Sequence, residues 1–440
     1  MRKDWIECEA ELLGDLIRGI NYKKPQSADS QKNNFLPILR ANNINENQLN
    51  FENLKYVEKE LIKEDQKILA GDIIFAMSSG SKHLVGKSGQ AKINYNGSFG
   101  AFCSVFRPNE NINSKFIQCY FHSTTFRGII SKASKGSNIN NLKREHILNA
   151  TIPLPPLITQ KAIVKKIEEL FSSLDSGIAD LKKAQDQLVI YRQAVLNKAY
   201  NNITKETTLE DVKKDSLIGL VRASGLQNNS EIGLPYIKMD KIDMIGNVNL
   251  TELVYVEVNK VEEEKYQLNS GDILLNTRNS FELVGKTGIM RNIKKTMVFN
   301  NNIMRIRVKD EYNPYFICYQ LISPFVRKQM DGHKKATTSV CALYQRNLFP
   351  LKLKTISLNK QNQIVREIES RLSVCDKVEE SIKESLQKAQ ALRQSILKKA
   401  FEGKLLSEEG IAKCKADKDY EPARVLLERI KVEKKKITKK

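Results

Sequence analysis

Hydrophobic positions fall into two kinds of pattern along this 440-residue chain, and the two alternate. The first kind is short runs of β-branched and aromatic residues bounded by Asn, Gly and Ser, as in GDIIFAM, KINYNGSFGAFCSVF and TMVFNNNIMRIRV. These predict strands joined by turn-rich loops. Shorter helical patterns such as NSKFIQCYFHSTTFRGII lie between them, giving an α+β domain. The second kind is long. From Thr159 to about Tyr200 there is no Pro and only Gly177, and apolar residues return every seventh position at Ile167, Leu174, Leu181, Leu188 and Val195. A second stretch does the same at Ile368, Cys375, Ile382, Ala389 and Ile396. Such sustained spacing predicts a coiled-coil seam, and two matching stripes in one chain most simply pack on each other. A single helix docked on a globular core fits less well, because about 40 residues at 1.5 Å each reach roughly 60 Å, longer than a small domain is wide.

The alternation is a duplication with a period near 200 residues. FLPILRANNI (Phe35 to Ile44) returns as GLPYIKMDKI, LAGDIIF as NSGDILL, LVGKSG as LVGKTG, KFIQCY as YFICYQ, and QKAIVKKIEELFSSLD as QNQIVREIESRLSVCD. The matches keep their order at offsets of 198 to 201 residues. Prolines in IPLPPL (Ile152 to Leu157) stop the first globular part. The chain then divides into a globular domain at 1–152, a long helix at 153–203, a second domain at 204–352, a second helix at 353–402 and a basic tail at 403–440. The closing VEKKKITKK reads as a solvated end.

Composition narrows the partners. The formal net charge is +21, which suits a polyanion whose counterions are released on binding. No run of 18 apolar residues predicts a membrane span, and MRKDWIECEAELLGD lacks a signal-peptide core, so a cytoplasmic protein is expected. Seven scattered cysteines without C-x-x-C, and four histidines without ligand spacing, predict reduced thiols and no metal site.

Candidate chemistry is sparse. GSKHLVGKSG (Gly80 to Gly89) resembles a phosphate-binding loop, but five residues separate its glycines where four are needed. The following QAKINYN reads as strand, whereas phosphate cradles open a helix. The second copy, NSFELVGKTG, lacks the first glycine. What both copies keep is a hairpin: GDI[IL] in, G-K-[ST]-G out, with a polar tip between. EEEK (Glu262 to Lys265) and YNPYF (Tyr312 to Phe316) are weak echoes of nuclease and adenine-methyltransferase elements. No catalytic residue is assigned.

The order of these features, with YRQAVLNKAY and LRQSILKKAFEGKLL on the helices and EPARVLLERIKVEK near the end, resembles the specificity subunit of type I restriction–modification enzymes over essentially the whole chain. One departure is LKTISL (Leu353 to Leu358), which stands in the second copy without the prolines and puts the rigidity of that junction in doubt. The resemblance implies two target recognition domains joined by two long antiparallel helices that form a coiled-coil spacer. Each domain would read one half of a split double-stranded DNA target, the halves about 34 Å apart. It also implies a non-catalytic chain that works with two methyltransferase subunits and with restriction/translocase subunits. S-adenosylmethionine, ATP and magnesium would then sit on those partners and no cofactor on this chain. The alternative from the residues alone is a coiled-coil adaptor without specific DNA recognition.

Base readout calls for Arg or Lys at guanine and Asn or Gln at adenine. The candidates cluster in three loops per domain. In the first domain they are Arg40, Asn42 and Asn43; then Ser78, Ser79, Ser81, Lys82 and Lys87; then Lys132, Lys135, Ser137, Asn138 and Asn140. In the second they are Lys238 and Asp240; then Asn276, Thr277, Arg278, Asn279 and Lys286; then His333, Lys334, Lys335, Thr337, Thr338 and Ser339.

Overall fold

The computed structural model describes the chain apart from Met1, Glu46 and residues 79–84, 135–140, 337–339 and 439–440; for 132–134, 336 and 437–438 it describes the backbone alone. Two compact units result. Unit 1 comprises Met1–Asp180 with Ser385–Lys440, and unit 2 comprises Leu181–Glu384. The boundary cuts each long helix, so each helical half counts with the unit whose core it packs against.

Unit 1 is built on an antiparallel sheet in the order Gly14–Arg18, Cys103–Pro108, Ile73–Ala76, Ser88–Gln90. The Ile73–Ala76 strand is apolar throughout because both of its faces are covered. Ile73 and Phe75 enter a core with Phe116, Phe121 and Phe126, while Ile74 and Ala76 face Leu39 and Phe99, as the two-residue period of a strand requires. A second sheet runs Ser98–Phe99, Phe35–Leu39, Lys55–Glu58, Ser27–Ala28, its first pair parallel. Unit 2 repeats both sheets strand for strand. One is Lys213–Ile218, Ile303–Val308, Ile273–Asn276, Thr287–Ile289, and the other Val298–Phe299, Leu234–Ile237, Val254–Val256, Gln227–Asn228. The duplication read from the motifs is therefore a duplication of topology.

The long helices span Leu157–Asn201 and Leu358–Phe401. In unit 1, Ile163, Val164 and Ile167 of the first share a core with Ile396, Leu397, Ala400 and Phe401 of the second. Arg393 pairs there with Asp175 and lies 4.6 Å from the centre of the Phe171 ring. In unit 2, Val195, Leu196 and Tyr200 meet Val365, Ile368 and Leu372, and Arg192 bridges Asp376 and Glu379 at 2.8 and 2.9 Å. In each unit the start of one helix meets the end of the other, an antiparallel pairing. Along the stripe Ile167, Val195, Ile368, Cys375, Ile382 and Ile396 are buried, and Leu174, Leu181, Leu188 and Ala389 half-buried.

Both helices begin at a buried glutamine. The Gln160 amide donates to the Pro155 carbonyl at 2.9 Å and accepts from the Asn113 N–H at 3.0 Å. Gln361 donates to the Ile356 carbonyl at 2.7 Å and accepts from the Asn313 N–H at 2.8 Å. The second junction keeps this clamp without the prolines of the first. The basic tail is folded over its described residues, forming helices Glu408–Lys415 and Ala423–Thr438, with Lys435 and Lys436 of the closing lysine run exposed. Leu426, Leu427 and Ile430 enter the unit 1 core with Trp5 and Leu13, and Lys434 pairs with Asp15 at 3.1 Å. The apolar stripe between the lysines, not their charge, decides where this segment goes.

Candidate nucleic-acid interface

The Gly-Lys-[Ser/Thr]-Gly segment leads into a strand in both units. Ile74 pairs with Gly89 and Leu274 with Gly288, each in an antiparallel register. Among the described residues this segment offers no helix N-terminus to a phosphate; it runs on as strand, the outgoing arm of a hairpin. Gly86 and Gly285 take φ values of +75° and +83°, a region L side chains rarely enter. Their N–H groups donate to the Ala76 and Asn276 carbonyls at 2.8 Å, which closes the hairpin just below its tip.

The described flanks of the three candidate loops of each unit are tied together by main-chain hydrogen bonds around one short turn, FGAFC at 99–103 and FNNNI at 299–303. In unit 1 the Gly100 N–H donates to the Leu39 carbonyl, beside the first loop, at 2.9 Å. The Phe102 carbonyl accepts from the N–H of Met77, in the second loop, at 2.8 Å. The Leu142 N–H, past the third loop, donates to the Met77 carbonyl at 2.7 Å. Unit 2 repeats the set: Asn300 to Ile237 at 3.0 Å, Thr277 to Asn302 at 2.8 Å and Leu343 to Thr277 at 2.9 Å. There the tip also forms a small sheet in which Arg278 pairs with Ala342 and Ala342 with Lys335. A scaffold of main-chain hydrogen bonds thus carries side chains that differ between the copies.

The individual candidates separate into three groups, with Arg40 and Lys238 standing between the first two. Asn42, Asp240, Arg278, His333 and Lys335 are exposed, and Ser78 and Lys87 are half-buried on this face. A second group is used up by the fold. Asn43 is buried, accepting from the Arg40 N–H at 3.0 Å and donating to the Glu52 carbonyl at 2.9 Å. Asn276 is fully buried and donates to the Arg278 and Asn302 carbonyls at 3.0 and 2.9 Å. The Thr277 hydroxyl donates to the Asn302 carbonyl, and the Asn279 amide donates to Asn276 and accepts from the Ser280 N–H. Lys286 is buried, and burial holds its ammonium below the usual lysine range against the pull of Asp240 and Asp243. Lys334 is folded onto Asp331 and onto the Phe281 ring, 4.7 Å from its centre. In the folded chain these side chains already have local partners or are buried, unlike the exposed group. Arg40 and Lys238 are intermediate: half-buried, one donating to the Asn53 carbonyl at 3.2 Å, the other to the Gln227 amide oxygen at 3.3 Å. The third group, Ser79, Ser81, Lys82, Lys135, Ser137, Asn138, Asn140, Thr337, Thr338 and Ser339, lies outside the described residues, as does the side chain of Lys132.

Sequence reasoning missed the groups that hold this face in place. Asp72 and Asp272, the acids of the repeated GDI motif, are buried and take Arg107 and Arg307 in two-pronged pairs of 2.7–3.1 Å. Arg127 and Arg327 donate to the Val85 and Gly285 carbonyls beside the hairpin, and burial lowers the pKa of both. The signal was present, since each pair recurs one period apart. Phe102 was missed because an apolar residue in a strand-like run reads as core. The weak enzyme motifs also have structural roles: Glu262 pairs with Arg222 at 2.6 Å, and Asn313 caps the helix Pro314–Leu321.

A repeated α+β unit whose loop flanks are tied to one shared turn defines a two-part reading module without a built active site among the described residues. Comparison with known proteins agrees. The family described as type I restriction modification DNA specificity domain matches residues 7–184 and 220–388. The chain is 32% identical to the type I restriction enzyme EcoKI specificity subunit of Escherichia coli (strain K12), covering 98% of this chain and 95% of that one. It is 31% identical to the StySPI specificity subunit of Salmonella potsdam over the same shares. In fold it is similar to a chain of a solved type I restriction–modification system studied for complex assembly and conformational transition. There the TM-score is 0.71 at 18% identity, with 92% of this chain and 99% of that chain covered. The chain belongs to the type I restriction enzyme specificity subunits, the non-catalytic subunits that recognise DNA. Among the described residues no helix is long and apolar enough to cross a membrane.

Proposed function

We propose that this subunit reads a split DNA sequence, each unit recognising one half-site through the face built on its 99–103 or 299–303 turn. The supporting observation is the repeated main-chain scaffold with unlike side chains at its tip: Ser78 against Arg278, Arg40 against Lys238, Phe102 against Asn302. A common skeleton presents a different set of groups to each half-site. The paired helices set the spacing between half-sites and present surfaces to two methyltransferase subunits, with restriction subunits joining to cleave. S-adenosylmethionine, ATP and magnesium act on those partners, in the cytoplasm.

Methylome sequencing of a host expressing this chain with its partner subunits tests the reading directly. The expected result is one methylated motif with two defined halves and a fixed gap. An undivided motif, or none, overturns it. Inserting one heptad into both helices adds about 10 Å of rise, or roughly three base pairs of gap. An unchanged gap after that insertion removes the ruler role from the helices.

A further inference from the structure

Phe102 stands on the turn that holds the described flanks of unit 1's candidate loops, and it is 70% exposed. A lone exposed phenylalanine is ordinary on a protein surface. This one is set apart by its support, its neighbours and its counterpart. Its carbonyl accepts from the Met77 and Ser78 N–H groups at 2.8 and 3.3 Å, and the next residue, Cys103, is fully buried and donates to the Gly100 carbonyl at 2.8 Å. The ring is therefore carried on a pinned turn. Gly100 sits against Tyr22 and Arg40, whose Cγ lies 3.9 Å from where a Gly100 Cβ would stand. The core contact of this turn is made by Phe99, which is fully buried, so the fold does not require a second aromatic here.

Unit 2 carries Asn302 at the same place. Its carbonyl is held by the same hairpin strand, and its amide reaches the Met239 sulfur at 3.7 Å. Same backbone and opposite side-chain chemistry mark a position that follows the target and not the fold. Base edges in the major groove carry hydrogen-bonding groups and a single apolar feature, the 5-methyl group of thymine. We propose that Phe102 is a specificity-determining residue that packs on a thymine methyl in the half-site read by unit 1. The inference rests on the DNA-reading function proposed above.

The test uses the full-length chain assembled with its partner subunits. Methylome sequencing of the wild-type complex comes first; absence of a split motif removes the underlying reading, and this inference with it. With the motif known, each thymine is replaced in turn by deoxyuridine, which lacks the methyl group. One replacement, in one half-site only, is expected to weaken wild-type binding about fourfold. Phe102→Ala is expected to weaken cognate binding roughly tenfold and to be indifferent to that same replacement. Phe102→Leu keeps an apolar side chain and retains most of the affinity, which separates contact from misfolding. Phe102→Asn, the residue of the other copy, shifts that position of the motif from thymine toward adenine. Equal loss by Phe102→Ala on cognate and scrambled DNA overturns the proposal. So does a deoxyuridine effect that survives in Phe102→Ala.

Discussion

Asp72 of unit 1 and Asp272 of unit 2 occupy the same turn before the same strand and take an arginine from the same neighbouring strand. A few residues further along those strands, Ser78 of one unit stands where Arg278 stands in the other. The contrast shows how the duplication has been used. The buried acid and its arginine are kept, since changing either leaves a buried partner without its bond. Groups that face outward from the shared turn are free to differ, since nothing in the unit depends on them.

The sharpest way to break the comparison is to attack what the units share. Asp72 also accepts from the Leu69 N–H at 2.8 Å, as Asp272 does from that of Asn269. Removing either carboxylate leaves a partly buried guanidinium without its counter-charge, held only by main-chain carbonyls, and an N–H group unpaired. Asp72→Ala and Asp272→Ala are expected to cost about 3–5 kcal/mol, each in its own unit. Denaturant melts with limited proteolysis would assign the loss to a unit. A change below about 1 kcal/mol would mean that the pairs are incidental to the repeat.

A half-buried difference comes next. His122 packs in unit 1 with its Nε2 3.1 Å from the Ser88 carbonyl oxygen, and its counterpart by position is the apolar Ile322. Burial, reinforced by Arg127, lowers the His122 pKa from 6.5 to about 4. The folded chain holds this ring neutral while the unfolded chain takes up a proton, so stability falls as the pH drops from about 6.5 to about 4. The loss is roughly 3 kcal/mol below that window. His122→Ile, the residue of the other copy, is expected to flatten this acid limb for unit 1 and to leave unit 2 unchanged. Thermal melts from pH 7 to pH 4 read both; an equally steep limb in the variant would place the proton uptake elsewhere.

Arg278 tests the outward-facing side. It is exposed on a strand paired with Cys341–Ala342, whose other edge pairs with the strand of Lys335, and it stands where Ser78 stands in unit 1. Arg278→Ala is expected to reduce discrimination at one base of one half-site by roughly 1–3 kcal/mol. Competition binding with single-base variants measures it. If cognate and scrambled DNA lose equally, Arg278 holds a phosphate and the base is read by another residue.

Much of this was legible in the sequence for a definite reason. Order and offset of repeated motifs survive whatever the loops do, so the two units, the hairpin and the heptad stripes all show in the residue order itself. Individual readers were harder. Asn, Thr and Lys in a loop have the same composition whether they face water or the chain's own carbonyls. Asn43, Asn276 and Lys286 turned inward because the turns around them needed donors, acceptors or volume. No spacing rule distinguishes Asn276, fully buried, from Arg278 two residues later, on the outside. The folded C-terminal helices were obscured by their lysines, which hid Leu426, Leu427 and Ile430 on one face.

The smallest expected effect lies at the hairpin glycines, where the two units can be ranked. Gly86 and Gly285 share a left-handed backbone, which costs an L residue roughly 1–2 kcal/mol. Space around them differs. A Cβ on Gly86 would meet one Ile130 methyl group at 3.0 Å, its next neighbour being 3.5 Å away. On Gly285 it would meet the Arg327 guanidinium at 3.0 Å, Leu343 at 3.2 Å and the Met330 sulfur at 3.3 Å. Arg327 is itself fixed by donating to the Gly285 carbonyl at 2.5 Å, whereas the Arg127 bond to Val85 is long at 3.4 Å. The crowded site cannot give way without loosening the arginine that braces the hairpin. Gly285→Ala should therefore cost more than Gly86→Ala, and should blur base discrimination at the half-site read by unit 2 through a displaced tip. Equal costs would show that backbone conformation alone sets the penalty and that Arg327 does not brace the reading face.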